Sequence, residues 1–153
     1  MIKGVFFDLG GTLVKEKSYE PFPNVHEVLD ILATRYKLAI ICNTSSNEER
    51  ILEILRNANI ERYFDLVIVS SKVGSRKPDE KIFKIALESL ALQSDEVVMV
   101  GNRISADIIG GNRVGMKTVL IKWNNGLQEK VTSKLDQPNN TIKSLRELVS
   151  IVG

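Results

Sequence analysis

The sequence predicts a doubly wound α/β domain built on a five-stranded parallel sheet, and three observations predict it. Short apolar runs alternate along the chain with stretches whose apolar residues recur at helical spacing. The runs are nearly continuous in apolar residues, as in strands covered on both faces. Each of the first four runs gives way to polar, chemistry-bearing residues, and parallel strands bring such ends to one edge of the sheet. The 153 residues suit a single domain over 1–153, and a hydrophobic content of 43% supports one sizeable core.

The elements follow in order. Val5, Phe6 and Phe7 form the first strand, which stops at Asp8 and is followed by Gly10 and Gly11, residues that permit tight turns and close approach. Pro21 and Pro23 argue against a long helix in the polar stretch that follows. Val25, Val28, Leu29 and Leu32 then mark a helix over 24–35. Lys37 to Cys42 is the second strand. Ser46, three residues before Glu49, has the pattern of a capping box for a helix carrying Ile51, Ile54, Leu55 and Ala58. Asp65 to Ser70 is the third strand, and Pro78 and Asp79 open a helix with Ile82, Phe83, Ala86, Leu87 and Leu90 inward. Glu96 to Val100 is the fourth strand, ending at Gly101. A short helix is expected from Ser105 to Arg113, then a fifth strand from Lys117 to Ile121. Ile142, Leu145, Leu148 and Val149 mark a final helix after Asn139 and Asn140.

Composition excludes several classes of function. With 21 basic and 19 acidic residues the formal charge is +2, which makes no case for nucleic acid or a membrane surface. No signal peptide is visible, nor a run long enough to span a bilayer. Cys42, the single cysteine, allows no internal disulfide and fits a reducing, cytoplasmic setting; as a residue it reads as a small buried apolar group. His26, the single histidine, excludes a multi-histidine metal site within one chain. No GxGxxG follows the first strand, which speaks against nicotinamide binding.

The strand ends place Asp8, then Cys42, Asn43 and Thr44, then Lys77, and then Asn102 with Asp107 beyond it in one crevice. A carboxylate can attack an electrophilic phosphorus, provided that metal or ammonium charge offsets the repulsion between anions. Taken singly, an Asp at a strand end is more often a cap than a nucleophile, and a lone lysine is usually a solvated charge. The convergence of four such segments is the physical argument for an active site, and on the residues alone both readings of Asp8 stay open.

FFDLGGTL resembles the first motif, DxDGTL, of the haloacid dehalogenase superfamily of aspartate-nucleophile hydrolases, with Asp8 at the nucleophile and Gly11, Thr12 and Leu13 at its tail. The resemblance runs over nearly the whole chain. It implies a Rossmann-like sheet of order 5-4-1-2-3. Because the connections after Leu13 and before Lys77 are short, it also implies a capless member. Lys77 matches the third-motif lysine, which contacts the nucleophile and the phosphoryl group. Asn102 and Asp107 fall where a GDxxxxD pattern puts an acidic pair, and Thr44 and Asn43 lie near the phosphate-binding second motif. The implied cofactor is Mg2+, held by Asp8, the Gly10 carbonyl, Asn102 and Asp107.

Three residues depart from the pattern. Gly10 replaces the usual acid/base carboxylate, Cys42 stands where the second-motif Ser/Thr aligns, and Asn102 replaces an aspartate. The implied function is a Mg2+-dependent phosphatase-like hydrolase with reduced general-acid capability. It would turn over activated aryl phosphates better than alkyl phosphates, and its covalent intermediate would be slow to hydrolyse. The alternative is a weak or inactive relative that binds a phosphate ligand or a protein partner. Small or larger phosphorylated substrates are expected. A homo-oligomer could cover the open site through 18–23 and 123–126.

Overall fold

The computed structural model describes residues 1–123 and 131–153. Six parallel strands form one sheet in the order β3-β2-β1-β4-β5-β6. They are β1 (Gly4–Phe7), β2 (Lys37–Cys42), β3 (Leu66–Val69), β4 (Val97–Gly101), β5 (Lys117–Ile121) and β6 (Asn140–Ile142). The helices are α1 (Val25–Ala33), α2 (Glu48–Asn57), the single turn α3 (Ser70–Val73), α4 (Glu80–Ser89), α5 (Ile109–Val114) and α6 (Glu147–Val152). The central strand β1 pairs in register with β2 on one side and β4 on the other, so Phe7 stands between Ile40 and Val100.

Alternation along the strands divides the core between the two faces of the sheet. Val5 and Phe7 pack with Val28, Leu29, Ile54 and Leu148 from α1, α2 and α6. Phe6, between them, packs with Ile82, Phe83 and Ala86 of α4. Phe6, Phe7 and Phe83 are fully buried, and burying an aromatic side chain of this size contributes about 1.5–3 kcal/mol. Strand β1, held from both sides, is thus a rigid base for whatever follows Phe7.

Several expectations need correction. The sheet has a sixth strand, because Asn140, Thr141 and Ile142 pair with the open edge of β5. Three residues with one buried side chain are too short to show a period, and Ile142 belongs to this strand rather than to the last helix. That helix begins only at Glu147, whose carboxylate accepts the amides of Lys143 and Ser144 and so fixes the turn before it. The cap of α2 is Asn47, which accepts the Arg50 amide at 2.8 Å, rather than Ser46. Ser46 instead donates its amide to the Thr44 hydroxyl. Between β4 and α5 the chain first winds as a wide π-helical stretch, Ile104–Ile108. Such wide turns concentrate at functional sites, and this one carries Asp107 inward.

Candidate active site

Asp8 follows β1 directly, and its amide donates to the Val100 carbonyl, so the backbone pins the carboxylate between two strands. Lys77 Nζ donates to Asp8 Oδ1 at 2.9 Å and to Asp107 Oδ1 at 2.7 Å. Lys77 and Asp107 are almost wholly buried, with side chains about 1% exposed; that of Asp8 is 12% exposed, which leaves one carboxylate of the three-charge cluster open to the cavity. Burial alone would push the Lys77 ammonium down, but the Asp107 and Asp8 carboxylates outweigh it and hold it above the usual lysine range. Burial raises Asp107, against the opposing pull of Lys77. Asp107 Oδ2 also accepts the Arg103 amide, so both of its oxygens are engaged.

Thr12 joins the cluster. Its hydroxyl lies 3.2 Å from Asp8 Oδ2 and 3.4 Å from Asn102 Oδ1. Sequence reasoning placed Thr12 in a motif tail without giving it a role; its spacing of four from Asp8 was the available signal. The turn between them depends on Gly11, whose φ is +81° and whose missing side chain leaves room for Asn102. Gly101 does the same for Asp107, whose carboxylate occupies the space a Cβ there would need. Gly10 differs from both. A Cβ at that position meets only Glu16 Cγ, at an ordinary 3.7 Å.

Asn43 is at the site in an unforeseen way. Its Nδ2 donates to the Lys77 carbonyl at 2.9 Å, and its Oδ1 accepts the Lys77 amide at 2.8 Å. The side chain therefore braces the Lys77 backbone. The Lys77–Pro78 peptide is cis. Thr44 is anchored by its amide to Ser70 Oγ, and its hydroxyl accepts from Ser46. Cys42 is buried, and its thiol is pushed up to about 11 by burial and by Asp8. His26 Nε2 lies 2.8 Å from the Ala58 carbonyl and does not line the cavity at Asp8.

That cavity has a volume of about 610 Å3. Asp8, Gly10, Cys42, Asn43, Thr44, Lys77 and Asp107 all line it, whereas Asn102 does not and touches the cluster only through the buried Thr12 hydroxyl, which also lies beside Asp8. Its exposed wall also carries Arg76 and Arg103, which flank Lys77 and the end of β4, and Glu16, Tyr19 and Arg50, which no signal in the sequence placed there. Among the described residues no three His, Cys, Asp or Glu side chains gather as a metal cluster. The oxygens near Asp8 are nevertheless hard donors, and Thr12 brings Asp8 Oδ2 and Asn102 Oδ1 to one point. This set fits a hard cation that keeps several waters, though with less negative charge than a full set of aspartates would give.

Of the two proposed covering segments, Phe22 and Trp123 stack on each other within the chain, centroids 4.6 Å apart, while 124–126 lie outside the described residues. No helix among the described residues is long and apolar enough to cross a membrane.

The chain is 34% identical over 111 residues to a glyceraldehyde 3-phosphate phosphatase of Methanothermobacter thermautotrophicus, a match covering 71% of this chain and 47% of that protein. It is 32% identical over 133 residues to a pyrimidine 5'-nucleotidase of Escherichia coli, covering 86% and 56%. It therefore spans about half the length of the curated relatives it matches. A crystal structure of an uncharacterized protein from Listeria monocytogenes serotype 4b superposes with a TM-score of 0.84 at 28% identity, covering 99% of this chain and 98% of that one. A profile of the haloacid dehalogenase-like hydrolases matches residues 5–121. By this match over most of its length, together with the sheet order, the chain belongs to the haloacid dehalogenase-like hydrolase family.

Proposed function

We propose that this chain is a capless phosphoric monoester hydrolase acting through Asp8. The observation that carries the reading is the Asp8 carboxylate at the floor of the cavity, with one oxygen held by Lys77 Nζ at 2.9 Å. Asp8 forms a bond to phosphorus while the bond from phosphorus to the ester oxygen breaks. Water then cleaves the aspartyl-phosphate, releasing phosphate and restoring Asp8. Lys77 offsets charge beside the attacked phosphoryl group. Thr44, whose hydroxyl accepts from Ser46, keeps its proton for a phosphate oxygen. Asn43 acts through Lys77, by fixing its backbone. Arg50, Arg76 and Arg103 give the exposed wall of the cavity a positive charge suited to phosphorylated substrates.

Asp8, the Gly10 carbonyl and Asn102 would hold Mg2+, with Asp107 adding charge behind them; the ion would neutralise phosphate charge. Gly10 brings no proton donor, so a leaving alkoxide must find its proton elsewhere. The alternative, a relative that only binds phosphate, draws on Gly10 and Asn102; retention of the buried Asp8–Lys77–Asp107 cluster favours catalysis. The experiment is a phosphoester panel with Mg2+, run on the wild type and Asp8→Asn. Phosphate release that disappears in Asp8→Asn is expected. A wild type with no turnover and no acid-stable aspartyl-phosphate would leave only the binding reading.

A further inference from the structure

We propose that Glu16 supplies the acid/base carboxylate that Gly10 lacks. The inference rests on the phosphomonoesterase reading and adds a residue to it. A side chain built onto Gly10 would start 3.7 Å from Glu16 Cγ and meet nothing nearer. The Glu16 carboxyl group is one bond beyond that atom. Glu16 thus borders, from another part of the chain, the region that an aspartate at position 10 would occupy.

The loop holds Glu16 there. Val14 bridges both Gly10 and Pro21, Lys15 donates its amide to the Glu20 carbonyl, and Ser18 donates to the Glu16 carbonyl. Lys17 and Tyr19 adopt positive φ, 72° and 59°, which folds the loop tip back on itself. Arg103 Nη2, 3.5 Å from Glu16 Oε1 on the same exposed wall, pairs with the carboxylate and orients it. Among the described residues lining the cavity, the acids are Asp8, Glu16 and Asp107. Asp8 is the nucleophile, and Asp107 is buried with both oxygens bonded. Of these three, Glu16, paired with Arg103 and with its side chain 58% exposed, is the one that lies open to substrate and water.

In the first step Asp8 attacks phosphorus, the ester P–O bond breaks, and the departing oxygen takes the proton of the Glu16 carboxyl group. In the second, the Glu16 carboxylate takes a proton from water as the water oxygen bonds to phosphorus and the Asp8–phosphorus bond breaks. Inorganic phosphate leaves, and Glu16 again carries its proton. The positions of Glu16 and Gly10 are complementary: a carboxylate from either one serves the same place.

The test compares glycerol 3-phosphate with 4-nitrophenyl phosphate in the presence of Mg2+, for the wild type, Glu16→Gln, Glu16→Gln combined with Gly10→Asp, and Glu20→Gln. Positioned acid/base groups contribute ~10²–10⁴-fold. Glu16→Gln should lose about 10²-fold or more on glycerol 3-phosphate. On 4-nitrophenyl phosphate it should give a burst of nitrophenolate followed by slow turnover, because that leaving group needs no proton but the intermediate still needs a base. Adding Gly10→Asp should restore at least about tenfold of the loss, and Glu20→Gln, a charge change on the same loop, should match the wild type. Turnover in Glu16→Gln within twofold of wild type on both substrates overturns the assignment. So does an equal loss on both substrates with no burst, which would mean that Glu16 only holds Arg103. A wild type that releases no phosphate from either ester overturns this inference together with the reading beneath it.

Discussion

Asn43 brackets the backbone of Lys77, its amide nitrogen 2.9 Å from the Lys77 carbonyl oxygen and its amide oxygen 2.8 Å from the Lys77 nitrogen. The end of β2 thereby fixes the segment that follows β3, and the lysine reaches Asp8 with its main chain already fixed. Asn43→Ala leaves both main-chain groups without that partner, each such loss costing about 1–3 kcal/mol where the group stays buried. Urea unfolding should show a loss in that range. Turnover should fall more through kcat than through KM, because the side chain positions Lys77 rather than touching substrate. Asn43→Asp keeps the acceptor and should recover part of the stability.

Removing Lys77 should be worse than removing either acid. Lys77→Met leaves Asp8 and a fully buried Asp107 facing each other without a cation. Breaking one partner out of a buried ion pair typically costs about 3–5 kcal/mol, and urea unfolding of Lys77→Met should show a loss in that range. Phosphate release should disappear with it. Adding Asp107→Asn to Lys77→Met should return part of the stability and none of the activity, since the added change removes the stranded charge without restoring the ammonium.

Asn102 tests the cation reading. The cluster holds two carboxylates and one ammonium, so its net charge is a single negative one. Mg2+ binding should therefore be weak and activity should fall to background with EDTA. Asn102→Asp adds a second negative charge where Thr12 already brings Asn102 Oδ1 near Asp8. Titration calorimetry should show tighter Mg2+ binding by about tenfold or more. Unchanged affinity in Asn102→Asp would place the ion elsewhere.

Cys42 should be chemically quiet. Its thiol, 7% exposed and pushed up to about 11, presents a thiolate fraction roughly a hundredfold below that of an ordinary cysteine at neutral pH. Iodoacetamide at pH 7.5 should modify the folded chain very slowly and the urea-unfolded chain at the usual rate. Asp8→Asn, which removes one of the charges raising the thiol, should speed the folded-state reaction. Raising the pH toward 11 should also speed it, because the thiolate becomes populated there.

The sequence by itself determined the central architecture. The runs at Val5–Phe7, Lys37–Cys42 and Lys117–Ile121 are strands because continuous apolar β-formers are stable only when covered on both faces. The motif residues Asp8, Lys77 and Asp107 were legible because strand ends in a parallel sheet share one edge, whatever lies between them in the chain. Contacts that carry no local period were decided only by the tertiary structure. β6 exists because β5 offers it an open edge. Asn43 serves Lys77 because β2 and the segment after β3 meet at that point. Glu16 lies over Gly10 because Val14, Lys15 and Ser18 fold the loop back across the cavity. Local pattern records which face of an element is buried. It does not record which exposed side chain a returning loop will set beside a glycine, and here that placement bears on where the proton is exchanged.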